Sequence, residues 1–202
     1  ALRAELEAAY AANALPAQPF RADREAIGMR RLKNACLGYL AAIEDGAAAA
    51  LCLRQAGEEG ACMTDVMAAT SALAACDGPA AAAAREEALG LYYSRHAKGN
   101  DLLVCKWFTM QAVADTADCL ERTDALRAHP DFSLRNPNKA RALIGAFAAN
   151  PCRFHAADGA GYRWLADRIL EVDAINPQSA ARLASAFSTF RRYDSGRQAL
   201  IR

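Results

Sequence analysis

The chain has 202 residues and a formal net charge of +1, from 24 Lys and Arg against 23 Asp and Glu. That near-balance excludes the one-sign electrostatic footprint of a nucleic-acid-binding domain, and no apolar run approaches the length of a membrane span. About a quarter of the residues are alanine while β-branched residues are sparse, a composition that favours helix almost everywhere.

In chain order, residues 1–13 read as a short amphipathic helix that the Pro16/Pro19 linker ends. Ala22 to Ile43 is the longest helical stretch: Ile27, Leu32, Cys36, Leu37 and Leu40 recur at helical spacing, with Arg24, Arg30, Arg31 and Lys33 off that stripe. Gly46 allows a turn into Ala47–Gln55, and Gly57–Gly60 breaks the chain again. Thr64 is expected to cap a helix through Ala75, with Asp65 well placed in its first turn. Cys76-Asp77-Gly78-Pro79 is a stop, followed by a helix from Ala80 to about His96. After Gly99-Asn100-Asp101, the stretch Leu102–Gln111 is apolar enough to be mostly buried, with Lys106 snorkelling beside Trp107 and Phe108. Asp115/Thr116 opens a helix to Ala128, and His129-Pro130 closes it. Further helices are expected over Asn136–Ala149, Gly161–Val172, Asn176–Phe190 and from Asp194 onward. Short connections join them, as between antiparallel neighbours.

The chemistry-bearing residues are sparse. The sequence holds no His-Glu-x-x-His, Gly-x-Ser-x-Gly, P-loop or dinucleotide fingerprint. His96, His129 and His155 fall in different turns and share no ligand spacing with one another or with cysteine, so no metal site is expected. The seven cysteines form no C-x-x-C pair and read most simply as small buried hydrophobes in a reduced compartment, the alternative being that one or two form a disulfide that the sequence does not identify. The first residues do not read as a signal peptide, and the ends at Ala1 and Arg202, inside helical patterns, suggest a segment of a larger protein.

Two features stand out. Asn136-Pro137-Asn138-Lys139-Ala140-Arg141 is echoed forty residues later by Asn176-Pro177-Gln178-Ser179-Ala180-Ala181-Arg182. Each copy is a helix start, with Asn as N-cap and Pro at the first helical position, and each carries an Arg about one turn in. A forty-residue period is that of stacked helix pairs in HEAT and armadillo arrays, so the expected fold is an all-α superhelical stack of antiparallel helix pairs, one domain over 1–202. Arg141 and Arg182 are then either carboxylate-paired surface groups or two cations lining a concave surface, where they would favour a peptide carboxylate or carbonyls. The second feature is the loop Phe154-His155-Ala156-Ala157-Asp158-Gly159-Ala160-Gly161-Tyr162. Asp158 is expected to cap the next helix, Gly159 and Gly161 to supply unusual dihedrals, and Phe154 and Tyr162 to staple the loop to the core. His155 could instead contact a partner or a substrate path.

The succession Arg30-Arg31-Leu32-Lys33-Asn34-Ala35-Cys36-Leu37-Gly38-Tyr39-Leu40, Met63-Thr64-Asp65, Lys106-Trp107-Phe108, Asn136-Pro137-Asn138 through Phe147, the Phe154–Tyr162 loop, and Asn176-Pro177-Gln178 with Arg191-Arg192-Tyr193-Asp194 resembles the C-terminal region of the bacterial aminopeptidase N family. The resemblance covers essentially the whole chain. It implies the helical cap domain of a cytoplasmic zinc aminopeptidase, whose His-Glu-x-x-His site lies in an earlier domain absent here. The cap would enclose a cavity that admits short peptides, with the catalytic domain of the same chain as its partner. It implies substrate contacts from Arg141 and Arg182, beyond the cleaved bond, and from Gln178, near the pocket for the N-terminal side chain. No catalytic residue, metal ligand or cofactor is implied within the chain, which alone should be inactive. The other reading of the repeat is a freestanding scaffold that binds a peptide or protein in its groove.

Overall fold

Asn and Asp side chains open helix after helix. Asp23 accepts from the Ala26 amide, Asp45 from Ala48, Asn100 from Leu102 and Leu103, and Asp194 from Arg197. Each satisfies a backbone donor that the first helical turn leaves orphaned. The structure, a computed structural model, describes residues 2–15 and 19–202, so Pro16 of the expected linker lies outside the described residues. Every regular element among them is helical. Their contacts divide the chain into two units, Ala1–Lys98 and Gly99–Arg202.

The first unit contains α1 (Arg3–Ala12), α2 (Arg24–Ala41), α3 (Gly46–Gly57), α4 (Met63–Ala74) and α5 (Pro79–Tyr92), which runs on through a π-helical turn at Tyr93–Ala97. Helix α3 packs on α4 and α5, and α2 on α1 and α4. The core they share is built of Leu37, Leu73, Cys52 and Cys76 among many alanines, such as Ala49, Ala69 and Ala88. Side chains this small let helix backbones approach closely, so the alanine content that favours helix also sets the packing.

The expected apolar stripe of α2 is only partly its buried row: Cys36, Leu37 and Leu40 are buried as expected. Ile27 and Leu32 are 44% and 50% exposed, whereas Ala26, Arg30, Lys33, Leu37 and Leu40 face inward. Two cations lie in the buried row because both find partners there. Lys33 Nζ is 2.6 Å from Asp65 Oδ2, and Asn34 donates to Asp65 Oδ1. Gln55 donates to Asn34 Oδ1 and to the Asp65 carbonyl, and accepts from the Tyr10 hydroxyl. Arg30 donates to the Arg21 carbonyl and lies over the Phe20 ring. Buried charge is tolerated when paired and hydrogen-bonded in this way. Asp65 therefore serves Lys33 as well as its own helix end. Thr64, expected as the cap, lies inside α4, whose N-cap is Cys62.

The second unit contains α6 (Asp101–Ala112), α7 (Cys119–Ala125) with a 3-10 turn at Leu126–Ala128, and α8 (Pro137–Ala140), which continues through a π turn at Arg141–Gly145 into α9 (Ala146–Ala148). It ends with α10 (Ala160–Asp173), α11 (Pro177–Ala184) extended by a 3-10 segment at Ser185–Arg192, and α12 (Ser195–Ile201). Its core is aromatic. Phe147 meets Phe154 and Trp164 edge-to-face, Phe154 meets Tyr162 the same way, and Phe108, Phe147 and Phe154 are fully buried. Trp107 is buried beside Phe108 with Lys106 exposed, as expected, but Leu102 is 76% exposed, so α6 is one-sided rather than mostly buried. Helix α7 begins later than Asp115/Thr116, after a turn in which the Cys119 amide donates to the Thr116 carbonyl, and side chains take up the carbonyls before that turn. Asn150 takes those of Ala112 and Ala114, and Arg153 takes that of Asp115.

A ring of charges joins α7 to α10. Asp124 Oδ1 accepts from Arg127, Arg168 and the Trp164 indole, while Glu171 accepts from Arg127 and pairs with Arg168. Burial opposes ionisation of Asp124, but the Trp164 and Arg127 hydrogen bonds outweigh it and hold the carboxyl below its ordinary range.

Candidate functional site

The echoed starts at Asn136 and Asn176 form as the sequence suggests. Asn136 Oδ1 accepts from the amides of Asn138 and Lys139, Asn176 Oδ1 accepts from Ser179, and a proline follows each at the first helical position. The two starts bring their arginines together. Arg141 and Arg182 both line a cleft of about 280 Å³ whose other walls are Pro137, Asn138, Ala140, Gly145, Ser179 and Leu183.

The geometry of this cleft follows from three local features. Arg141 is the first residue of the π turn, a one-residue widening of the helix that often accompanies function. Gly145 ends that turn, and a Cβ there would lie 3.4 Å from Arg141 Cγ and 3.7 Å from Leu183 Cδ2. The absent side chain thus leaves room between the stem of Arg141 and α11. Leu183 and Ala140 are buried and form an apolar base, while both arginines are exposed.

The cleft contains two cations and no carboxylate. Arg141 Nη2 reaches only Asn138 Oδ1, at 3.4 Å, and Arg182 makes no side-chain hydrogen bond or ion pair among the described residues. Fixed cations with unused donors over an apolar floor suit a carboxylate or a row of peptide carbonyls. Gln178 is exposed one turn before Arg182 on the same face of α11, outside the cleft lining. Gly145 and Leu183 were not singled out from the sequence. A glycine in the middle of a helical run was the available signal for the first. The first unit has a wider groove of about 920 Å³, but its charges alternate in sign, with Arg54 and Arg95 against Glu58 and Glu87.

The Phe154–Tyr162 loop is a structural knot. Asp158 Oδ1 accepts from the Ala160 amide, and Gly159 takes a left-handed φ of 71° as the N-cap of α10. Gly161 has no unusual dihedral. It is required by close approach instead, since a Cβ there would lie 2.5 Å from the Phe154 carbonyl oxygen. Phe154 and Tyr162 are buried, as the staple reading expects. His155 has both ring nitrogens beside tyrosine hydroxyls, those of Tyr162 and Tyr193. Burial, with Arg197 adding to it, lowers the pKa of its imidazole. The other histidines are elsewhere: His129 packs on Trp107 and Phe108, and His96 on Tyr92. Among the described residues, no three His, Cys, Asp or Glu side chains converge on a point that could hold a metal ion, and no helix is long and apolar enough to cross a membrane.

Residues 1–202 match the family described as a domain of unknown function (DUF3458_C) with ARM repeats. Aminopeptidase N of Escherichia coli (strain K12) is 40% identical over 199 residues, 98% of this chain and 22% of that protein. Aminopeptidase N of Caulobacter vibrioides is 44% identical over 178 residues, 86% of this chain and 20% of that protein. Among solved structures, Legionella pneumophila aminopeptidase A in complex with aspartic acid superimposes with a TM-score of 0.86 at 32% identity, covering 99% of this chain and 24% of that one. The chain therefore spans about a fifth of the length of the aminopeptidase N relatives it matches. With all of its residues matched and an all-helical structure, the chain belongs to the DUF3458_C family of ARM-repeat domains, the helical part that it shares with aminopeptidases N.

Proposed function

We propose that this chain is the C-terminal cap domain of a cytoplasmic, zinc-dependent aminopeptidase that removes N-terminal residues from short peptides. The observation that carries the reading is the shared cleft of Arg141 and Arg182, two cations without a carboxylate, in a chain homologous to aminopeptidases N. In this reading the cap encloses the active-site cavity of the parent enzyme, and the two arginines hold the peptide beyond the cleaved bond. Gln178, on the same helix face as Arg182, stands near the pocket for the N-terminal side chain. Zinc in the parent enzyme would supply a Lewis acid and an activated water. In this reading the zinc ligands and the catalytic base belong to the parent enzyme's catalytic domain, in keeping with the lack of a three-residue metal cluster among the described residues. Its partners are the peptide and the catalytic domain of its own chain. A freestanding scaffold accounts less well for a match that spans nearly the whole chain within longer aminopeptidases.

The test is Arg182→Ala in the full-length enzyme. A positioned charge contact is worth about 1.5–3 kcal/mol, so kcat/KM should fall at least tenfold. Equal kcat/KM for peptides of several lengths removes Arg182 from the substrate path. The isolated 202-residue chain, given zinc, should release no amino acid from an alanyl chromogenic substrate.

A further inference from the structure

The Phe154–Tyr162 loop takes no part in the arginine cleft, yet it holds the far end of the rod that carries Arg182. From Pro177 to Arg192 the backbone is continuous, α-helical to Ala184 and 3-10 over the 8 residues Ser185–Arg192. Arg182 sits beside the change of helix type. Runs of 3-10 helix longer than about four residues are uncommon, and their hydrogen bonds have poorer geometry. Such a rod depends on what fixes its ends.

One end is fixed by the Asn176 cap. The other leads directly into Tyr193, whose hydroxyl lies 2.8 Å from His155 Nε2 and whose ring stacks on the imidazole with centroids 4.1 Å apart. On the opposite side of the imidazole, His155 Nδ1 lies 2.9 Å from the Tyr162 hydroxyl, at the start of α10. A neutral imidazole donates through one nitrogen and accepts through the other, so it can bridge two hydroxyls with no polar atom left over. Arg197 Nε donates to the His155 carbonyl at 2.7 Å, and Phe187, inside the 3-10 segment, packs on Phe154 and Tyr162. The loop, α10 and the end of the rod thus meet at His155.

We infer that His155 is a positioning residue for Arg182: by bridging Tyr162 and Tyr193 it pins the end of the rod and fixes where Arg182 stands opposite Arg141. The inference rests on the reading of that cleft as a peptide-binding wall. Freeing the rod loosens a contact made equally in the bound ground state and the transition state, which moves KM more than kcat.

In the full-length enzyme, His155→Ala should raise KM for a tripeptide about five- to tenfold, less than the loss of the whole Arg182 contact, with kcat within about twofold. Tyr193→Phe keeps the ring stack and should raise KM less. In an Arg182→Ala background, His155→Ala should add nothing to KM, because its effect passes through Arg182. Amide hydrogen exchange of His155→Ala should speed up over residues 185–193 and stay unchanged within α6. An additive KM effect, or an unchanged KM in a variant that melts with the wild type, overturns the positioning role. Unchanged exchange over 185–193 overturns the clasp itself. An inert Arg182→Ala overturns the substrate reading instead, whatever the exchange shows.

Discussion

The two units fill their interiors differently. The first packs alanine, cysteine and leucine between its helices, holds the Lys33–Asp65 pair inside, and departs from the α form at Tyr93–Ala97. The second packs Phe108, Phe147, Phe154, Tyr162 and Trp164, and its helices depart from the α form at Arg141–Gly145 and Ser185–Arg192. Small side chains let helices approach closely, whereas large rings meet edge to face, as Phe147 does with Phe154 and Trp164. The difference teaches that the two units reach a close-packed interior by different means, while departures from the α form occur in both, beside Tyr92 in the first and at the arginine cleft in the second.

The largest expected break in this contrast comes from the buried ion pair. Asp65→Ala leaves Lys33 charged and unpaired in a site where its side chain is 7% exposed, and should cost about 3–5 kcal/mol in a denaturant titration. The double change Lys33→Met with Asp65→Leu should recover most of that, because the network is not needed once neither charge is present. If the single change costs under about 1 kcal/mol, the pair is not the anchor of the first unit. A smaller loss is expected in the second unit from Gly161→Ala. A methyl group meeting the Phe154 backbone should cost about 1–3 kcal/mol of overpacking, read as a lower midpoint of unfolding.

The smallest effect sharpens the comparison through pH. Burial, with Arg197 behind it, lowers the folded pKa of His155 below its ordinary 6.5. The unfolded chain therefore binds the proton more readily. The stability contributed by the neutral imidazole is present above about pH 6.5 and is lost as pH falls toward the folded value. Unfolding free energies at pH 7.5 and 5.5 should diverge more for the wild type than for His155→Gln. Equal divergence would mean that His155 is not the titrating group.

Most of the helices were legible in the sequence because their signals are local. Asn136, Asn176, Asp194 and Asn100 act within three residues of themselves, and the Gly and Pro stops do likewise. What was not legible depended on distant partners. Arg30 and Lys33 were set aside from the buried stripe of α2 by their charge, and only Arg21, Phe20 and Asp65 make their burial tolerable. Asp115/Thr116 reads as a helix start, but α7 begins at Cys119, after a stretch whose carbonyls are met by Asn150 and Arg153, some thirty-five residues on. Gly161 read as a glycine chosen for its dihedral, whereas its reason is a crossing backbone. For the site, the echo gave both arginines, and the depth of the cleft came from Gly145, Ala140 and Leu183, whose side chains carry no chemistry to notice.

The π turn at Arg141–Gly145 has one more consequence. Each residue of an α-helix turns the chain by about 100°, so a turn that takes in one extra residue offsets the helical phase before it from the phase after it. Upstream, that phase presents Asn138 to the cleft, with Arg141 at the start of the turn; downstream, it delivers Phe147 to the core. The insertion works as a gearing between a surface that can change and an interior that cannot. Deleting one residue from 141–145 should restore an unbroken helix and rotate Asn138 by about 100° relative to Phe147, so that the cleft and the core could not both keep their residues.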